Sequence, residues 1–406
     1  MTTDSSDRTP NNRKPGLRTT LSHIGRAGKR VHGFVNPPLL RGSTVLVPTV
    51  AERQALAAKR GEQVLTYGTG GSATHWALED AIAAIEGGTR TYIVSTGLAA
   101  VTLPLLAFLK AGDHMLMPDS VYGPARAFAT GMLRNFGVET TFYDPTVDEA
   151  GLTALLRTNT KVVYTESPGS HTFEVQDIPA LARAAHAHGA KVMMDNTWGI
   201  HHFQPFSHGV DISIQAATKY LAGHSDVLLG AVTVNDDENW QVLHAAGRAL
   251  GQYASPDDCW LTLRGIRTMA VRLQAQMDAA LLVAHWLRQQ PDVAQVLHPA
   301  LPGAPGHELW RRDFTGACSL FGVEFKPDVT AADTHRFVEA LDLFGIGASW
   351  GGYESLAVPT TGFVTRTAGG TGFAGPVVRL HVGLEDPGDL IADLARGLAK
   401  LRTKPA

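Results

Sequence analysis

The 406-residue chain carries 35 Lys and Arg against 38 Asp and Glu, a net charge of −3, with 44% apolar and 18% charged residues. That balance argues against a nucleic-acid or membrane-surface binder, and the length is too great for one ordinary core, so two domains plus arms are expected. Two cysteines, Cys259 and Cys318, make neither a disulfide scaffold nor a zinc site; they fit a reducing cytoplasm, and no apolar run is long enough to span a bilayer.

In chain order, the opening MTTDSSDRTPNNRKPG has charge but no apolar segment, so its first 15 or so residues read as a polar lead-in rather than a secretory signal. Residues 17 to about 66 mix short helices with Pro-punctuated extended pieces such as VNPPLL and form an arm that cannot bury a core alone. From Ala73 the pattern changes. WALEDAIAAIEGG predicts an amphipathic helix stopped at Gly87-Gly88, Thr91 to Ser95 a buried strand, and Leu98 to Lys110 a helix. MLMPD, a helix from Pro124 to Phe136, VETTFYD, KVVYTES, a helix from Ile178 to His188, and KVMMDN continue the alternation, with VDISIQ and VLLGAVTVN as further strands. Strands alternating with helices imply a mostly parallel sheet covered on both faces. After Asn239 the chain turns helical through Gln289. A smaller α+β domain follows, with strands near Val296, Leu320, Ile346 and Val378 and helices from Ala331 and Asp386.

The chemistry centres on Lys219, within SIQAATKYLAGHSD, among small uncharged neighbours that favour the unprotonated amine. Asp195 ends the strand KVMMDN upstream. A carboxylate for a ring nitrogen and an amine for an aldehyde are what pyridoxal phosphate requires. Three more features suit the carboxyl ends of such strands. Gly97, in Ser95-Thr96-Gly97-Leu98, lets a helix start approach a phosphate. Tyr122, in DSVYGP, offers an aromatic face for a flat heterocycle. Arg379, in the apolar strand VVRLHV, suits a substrate carboxylate. Each admits a plainer role: a βα turn, a helix cap for Asp195, a half-buried loop tyrosine, and for Arg379 a salt bridge to Glu385 or Asp386.

Other patterns carry less. Gly347 to Gly351 fits a nucleophile-elbow spacing around Ser349, but the acid and histidine that should follow over a long stretch crowd in at Glu354 and His381. Gly68-Thr69-Gly70 lacks the preceding strand and third glycine of a dinucleotide loop. Seventeen histidines include neither HExxH nor a cysteine cluster, so no metal is expected; His186 and His188 point to different sides of a helix, and His201-His202 reads as a loop pair. LRGIRTMAVRL, Leu263 to Leu273, reads as an amphipathic face at a domain or subunit contact.

From about residue 17 to 403 the chain resembles the transsulfuration pyridoxal-phosphate enzymes, the Cys/Met-metabolism group of fold type I. Within it the resemblance is strongest to the branch of bacterial cystathionine β-lyases. SIQAATKYLAGHSD, MMDNTWG (Met193 to Gly199), HELWRRDFTG (His307 to Gly316) and SWGGYES (Ser349 to Ser355) carry it. Trp350 matters most, because γ-acting relatives usually carry leucine there. The resemblance implies an α/β fold with a mostly parallel sheet flanked by helices, a smaller C-terminal α+β domain and an N-terminal arm. The expected divisions are 1–66, a cofactor domain at 67–262, and 263–406. It implies that Lys219 links to the cofactor and acts as the base, Asp195 holds the ring nitrogen, and Tyr122 stacks on the ring. Gly97, Leu98 and Thr218 are then expected on the phosphate, and Arg379, Ser349 and Trp350 beside the substrate. Tyr67 is expected to reach a neighbouring subunit's site, in a cytoplasmic homotetramer built as a dimer of dimers. The implied activity is β-cleavage of the thioether amino acid L-cystathionine to homocysteine, pyruvate and ammonia. A broader cysteine-S-conjugate β-lyase, a methionine γ-lyase or cystathionine γ-synthase, and a non-catalytic cofactor-binding protein stand as alternatives. Two positions depart from the family pattern. Thr69 stands where the family carries a phosphate-binding arginine, which implies weaker cofactor retention or a substitute such as Arg41. Ala348 stands where some β-lyases carry tyrosine.

Overall fold

The computed structural model describes residues 15–26, 33–59, 61–360, 362–370 and 372–402; the expected polar lead-in falls outside these except for Pro15. Seven strands build the main sheet: β1 (Arg90–Val94), β2 (His114–Pro118), β3 (Glu139–Tyr143), β4 (Thr160–Glu166), β5 (Lys191–Asp195), β6 (Ile212–Gln215) and β7 (Gly230–Val234). Their spatial order is β1-β7-β6-β5-β4-β2-β3. β3, β2, β4, β5 and β6 run parallel, and β7 is antiparallel to both of its neighbours. Alternate residues feed two cores: Val163, Val192 and Met194 pack into one, Val162, Tyr164 and Met193 into the other. A strand buried on both faces needs apolar side chains at every position, which is why VVY and VMM lack polar alternation.

The intervening helices start where short polar side chains cap them. Thr96, Asp148 and Asp177 each accept a backbone N–H of the first turn of the helices Gly97–Phe108, Glu149–Leu155 and Ile178–Ala187. Helix Ala73–Glu86 ends at Gly87, whose φ of +75° is open to glycine at low cost. The chain then returns through four antiparallel strands, β8 (Val293–Leu297), β9 (Leu320–Phe325), β10 (Leu356–Pro359) and β11 (Val377–His381), in the order β10-β11-β9-β8. Helices Ala331–Glu339 and Pro387–Leu401 supply Phe337, Leu390 and Leu394 to this third core.

One continuous helix, Pro256–Leu287, crosses the expected division at residue 263. Its first half, through Leu273, packs on the large core, and from Ala279 it packs on the third. The amphipathic face expected from LRGIRTMAVRL forms: Leu263, Ile266, Met269 and Leu273 pack into the large core while Arg264 and Val271 are exposed, and Arg267 and Arg272 face inward with specific partners. Arg267 Nη1 donates to the carbonyls of Leu21 and Ile24 at 2.7 and 2.6 Å, anchoring helix Leu17–His23 of the arm. Arg272 is buried and donates to the carbonyls of Tyr220 and Gly265. The helix expected over Pro124 to Phe136 forms with an interruption: it is α-helical over Gly123–Phe128, widens to a π turn at Ala129–Leu133 and is α-helical again at Arg134 and Asn135. Ile346 lies in no strand: it is exposed, and the third strand of the small sheet forms ten residues later at Leu356–Pro359.

Candidate active site

At the carboxyl ends of β5 and β6 the structure brings Asp195 and Lys219 to one place. Thr197 ties them. Its N–H and hydroxyl both donate to Asp195 Oδ1, at 3.0 and 2.5 Å, while the hydroxyl oxygen accepts the N–H of Ala216 at 2.9 Å. Asp195 Oδ2 has no hydrogen-bond partner among the described residues. Burial pushes the Asp195 carboxyl above its usual range, opposed by the Thr197 bonds and the Lys219 charge.

Lys219 follows a tight turn in which its N–H meets the carbonyl of Ala216 at 3.0 Å. Its Nζ lies 2.6 Å from Ser349 Oγ and 5.2 Å from the Trp350 ring centre. Burial, then the positive charge of Arg379, lower its pKa to about 8 against the opposing pull of Asp195. The strip that delivers Ser349 and Trp350 lies directly on the lysine backbone. A Cβ on Gly351 (φ +87°) would sit 2.9 Å from Tyr220 N and 3.0 Å from Lys219 Cα, so glycine is needed there for space and conformation alike. Ser349 itself is left-handed at φ +83°. His381 bonds Ser319 and Gly351 rather than Ser349, and Glu354 bonds Ser225, so the nucleophile-elbow pattern assembles no triad.

Arg379 emerges from β11. Its Nη2 donates to the Ser349 carbonyl at 3.1 Å. Neither Glu385, which accepts from Ser355, nor any other described carboxylate pairs with it. Burial without a countercharge lowers its pKa, so an arriving carboxylate would be its counterion.

On the other side, helix Gly97–Phe108 begins against the Lys219 loop. A Cβ at Gly97 would fall 2.6 Å from Ala216 Cβ, so only glycine permits this approach. The N–H groups of Gly97 and Leu98 have no partner among the described residues, whereas that of Ala99 is taken by Thr96 Oγ1. Two free N–H groups at a helix start suit an anion. Thr218, expected on the same anion, is occupied: its Oγ1 donates to the Leu229 carbonyl at 3.2 Å and accepts the Leu229 N–H at 2.9 Å. A phosphate role for that hydroxyl requires release of the carbonyl. Tyr122 is 42% exposed, free to offer its ring, and its N–H donates to Glu166 Oε2 at 2.8 Å. An anion cradle, a carboxylate with one free oxygen, an exposed ring and a pKa-lowered amine fit a phosphorylated pyridine aldehyde.

Tyr67 and Thr69 do not join this group within one chain. They line a separate hollow of about 470 Å³ with Tyr92, Trp240 and His244. Arg41 is committed to Asp257, with Nε at 2.9 Å from Oδ2. Among the described residues no cluster of three or more His, Cys, Asp or Glu is placed to hold a metal ion.

Sequence reading passed over three groups. Thr197 is one. Glu166, opposite Asp195 in the β4–β5 register, is a buried carboxyl raised by desolvation and by Asp195. Glu86 is fully buried beneath the strand ends, bonded by Ser213, Asn196 and Gln215, with its pKa pushed up to about 8 by desolvation. Only the strand-end position of Glu166 in KVVYTES was visible beforehand.

The chain matches the family described as Cys/Met metabolism PLP-dependent enzyme over residues 18–399. A Rhizobium johnstonii protein provisionally named a cystathionine β-lyase is 50% identical over 95% of this chain and 96% of that protein. Cystathionine β-lyase MetC of Escherichia coli is 40% identical over 95% of this chain and 98% of its own. The crystal structure of metB from Corynebacterium glutamicum superposes with a TM-score of 0.88 at 29% identity, covering 97% of this chain and all of that one (100%).

Proposed function

The chain belongs to the Cys/Met metabolism PLP-dependent enzyme family, and from that premise we propose that it cleaves the Cβ–S bond of L-cystathionine, with water, to L-homocysteine, pyruvate and ammonia. The cofactor is pyridoxal 5′-phosphate. When bound, it supplies an electron sink for charge developing at the substrate α-carbon.

The chain's own residues do the rest. Asp195 takes the ring nitrogen on its free Oδ2, Gly97 and Leu98 donate to the phosphate, and Tyr122 stacks on the ring. Arg379 takes the substrate carboxylate. Lys219, an amine near pKa 8, accepts the α-proton, and Ser349 holds that amine between the two anchors at 2.6 Å. The observation that carries the reading is the uncompensated Arg379 guanidinium beside a pKa-lowered lysine: an α-amino acid presents the carboxylate and the proton those two groups lack. Trp350 next to Lys219 favours β- over γ-cleavage, since the γ-acting relatives resembled here carry leucine. Tyr67, away from its own chain's site, serves that of a second copy in a homotetramer with shared sites. No described helix is long and apolar enough to cross a membrane, and two buried free thiols suit a reducing cytoplasm.

Incubation with L-cystathionine tests the reading. Pyruvate with an equal amount of homocysteine supports it; 2-oxobutyrate places the enzyme among the γ-lyases instead.

A further inference from the structure

Beside Tyr122 lies a cavity of about 280 Å³, bounded by Ser120, Arg126, Ala127, His171 and Phe363. It belongs to none of the roles above. Val121 and Gly123, which flank Tyr122, also face it. The loop carrying His171 leaves the end of β4 and is tied to the Tyr122 turn, the N–H of Ser170 meeting the Ser120 carbonyl at 2.8 Å.

His171 is held at φ +64° and Phe173, two residues on, at φ +60°, left-handed conformations of the kind that collect at binding sites. The His171 ring stacks on Phe363 with centroids 6.3 Å apart. Neither ring nitrogen has a hydrogen-bond partner among the described residues, and Nδ1 is buried. Ser120 Oγ, in the same cavity, is likewise buried and without a partner, on a residue only 3% exposed. Two polar groups left open in one cavity offer hydrogen-bonding positions to water or to a polar ligand group. The charge of Arg379 bears on His171, and Val121 and Gly123 set the cavity against the turn that carries Tyr122. Arg126 is already paired with Asp119 and cannot be the selecting group.

We propose that this cavity receives the far end of the thioether substrate, and that His171, with Ser120, selects a distal end bearing a polar amino-acid head over a bare alkyl chain. The inference rests on the lyase reading and adds to it the group that distinguishes L-cystathionine from S-alkylcysteines. It gives this chain an uncharged means of recognition where Ala348 brings no ring.

The test compares L-cystathionine with S-ethyl-L-cysteine on the holoenzyme, read as kcat/KM for pyruvate. His171→Phe keeps the stacking and loses both nitrogens; His171→Asn tolerates the backbone and keeps hydrogen-bonding capacity. The Phe variant lowers the cystathionine to S-ethylcysteine ratio about tenfold, mainly through KM, and the Asn variant restores part of it. In a Lys219→Ala background, calorimetric affinity for L-cystathionine falls by a similar factor on adding His171→Phe. An unchanged ratio in both variants, or equal loss on both substrates in both, overturns the inference alone. No pyruvate from either substrate with the wild-type enzyme overturns the lyase reading and this inference with it.

Discussion

Lys219 and Arg379 meet through a single serine: Nζ donates to Ser349 Oγ at 2.6 Å and Nη2 to the same residue's carbonyl at 3.1 Å. Two cations so placed disfavour each other's charge. The lysine yields, because a guanidinium keeps its proton in proteins. On the roles proposed for Lys219, Lys219→Ala removes both base and cofactor link. Turnover falls by at least about 10³-fold and the visible absorbance of the lysine-linked cofactor disappears. An absorbance and product assay of the purified variant checks both.

The depressed Lys219 pKa has a definite sign. With the value lowered to about 8, the free amine dominates above that pH and the ammonium below it. Cofactor uptake by the stripped protein rises through about pH 8 and levels off above it. Stopped-flow absorbance against pH measures this; a midpoint near the ordinary lysine value contradicts it.

On the anchoring role proposed for Arg379, Arg379→Leu leaves a substrate carboxylate without its partner. KM for amino-acid substrates rises roughly 10–100-fold with a smaller change in kcat, and Arg379→Lys falls between. Steady-state kinetics on L-cystathionine decides.

Glu86 couples stability to pH. Its folded pKa, about 8, lies above the unfolded carboxyl value of 4.5. The folded state therefore holds a proton the unfolded chain has released between those limits, and stability from this group declines as pH rises through about 8. Denaturation midpoints fall from pH 5 to 8 in the wild type, and Glu86→Gln flattens that slope.

Asp195 and Lys219 were legible because each sits at a recognisable point of the chain, a strand end and a small-residue turn. So was the alternation that builds the parallel sheet. What the sequence hid depends on register and packing. Glu166 matters through being laid opposite Asp195, and Thr197 through bridging two loops. Arg272 is buried against the carbonyl of Tyr220, just after Lys219, in space left by Gly223, a placement no local pattern in the sequence gives. The strand expected near Ile346 failed for a related reason. Gly345 forms only an isolated bridge to Leu356, and the segment between is spent on placing Ser349 and Trp350 over the lysine.

Thr69 sits on the exposed turn Gly68–Gly70, and Arg41 is engaged with Asp257. On the proposal that this turn faces a neighbour's phosphate, Thr69→Arg tightens cofactor binding roughly tenfold by adding a charge-assisted bond, while Arg41→Ala changes it less than about twofold. Equilibrium dialysis of the cofactor distinguishes these outcomes.

Reduction of the cofactor-loaded protein with borohydride, followed by peptide mass mapping, reaches the central claim most directly. The account predicts one pyridoxyl group per chain, on the peptide containing Lys219. A label on Lys191, Lys161 or any other lysine, or none at all, contradicts it.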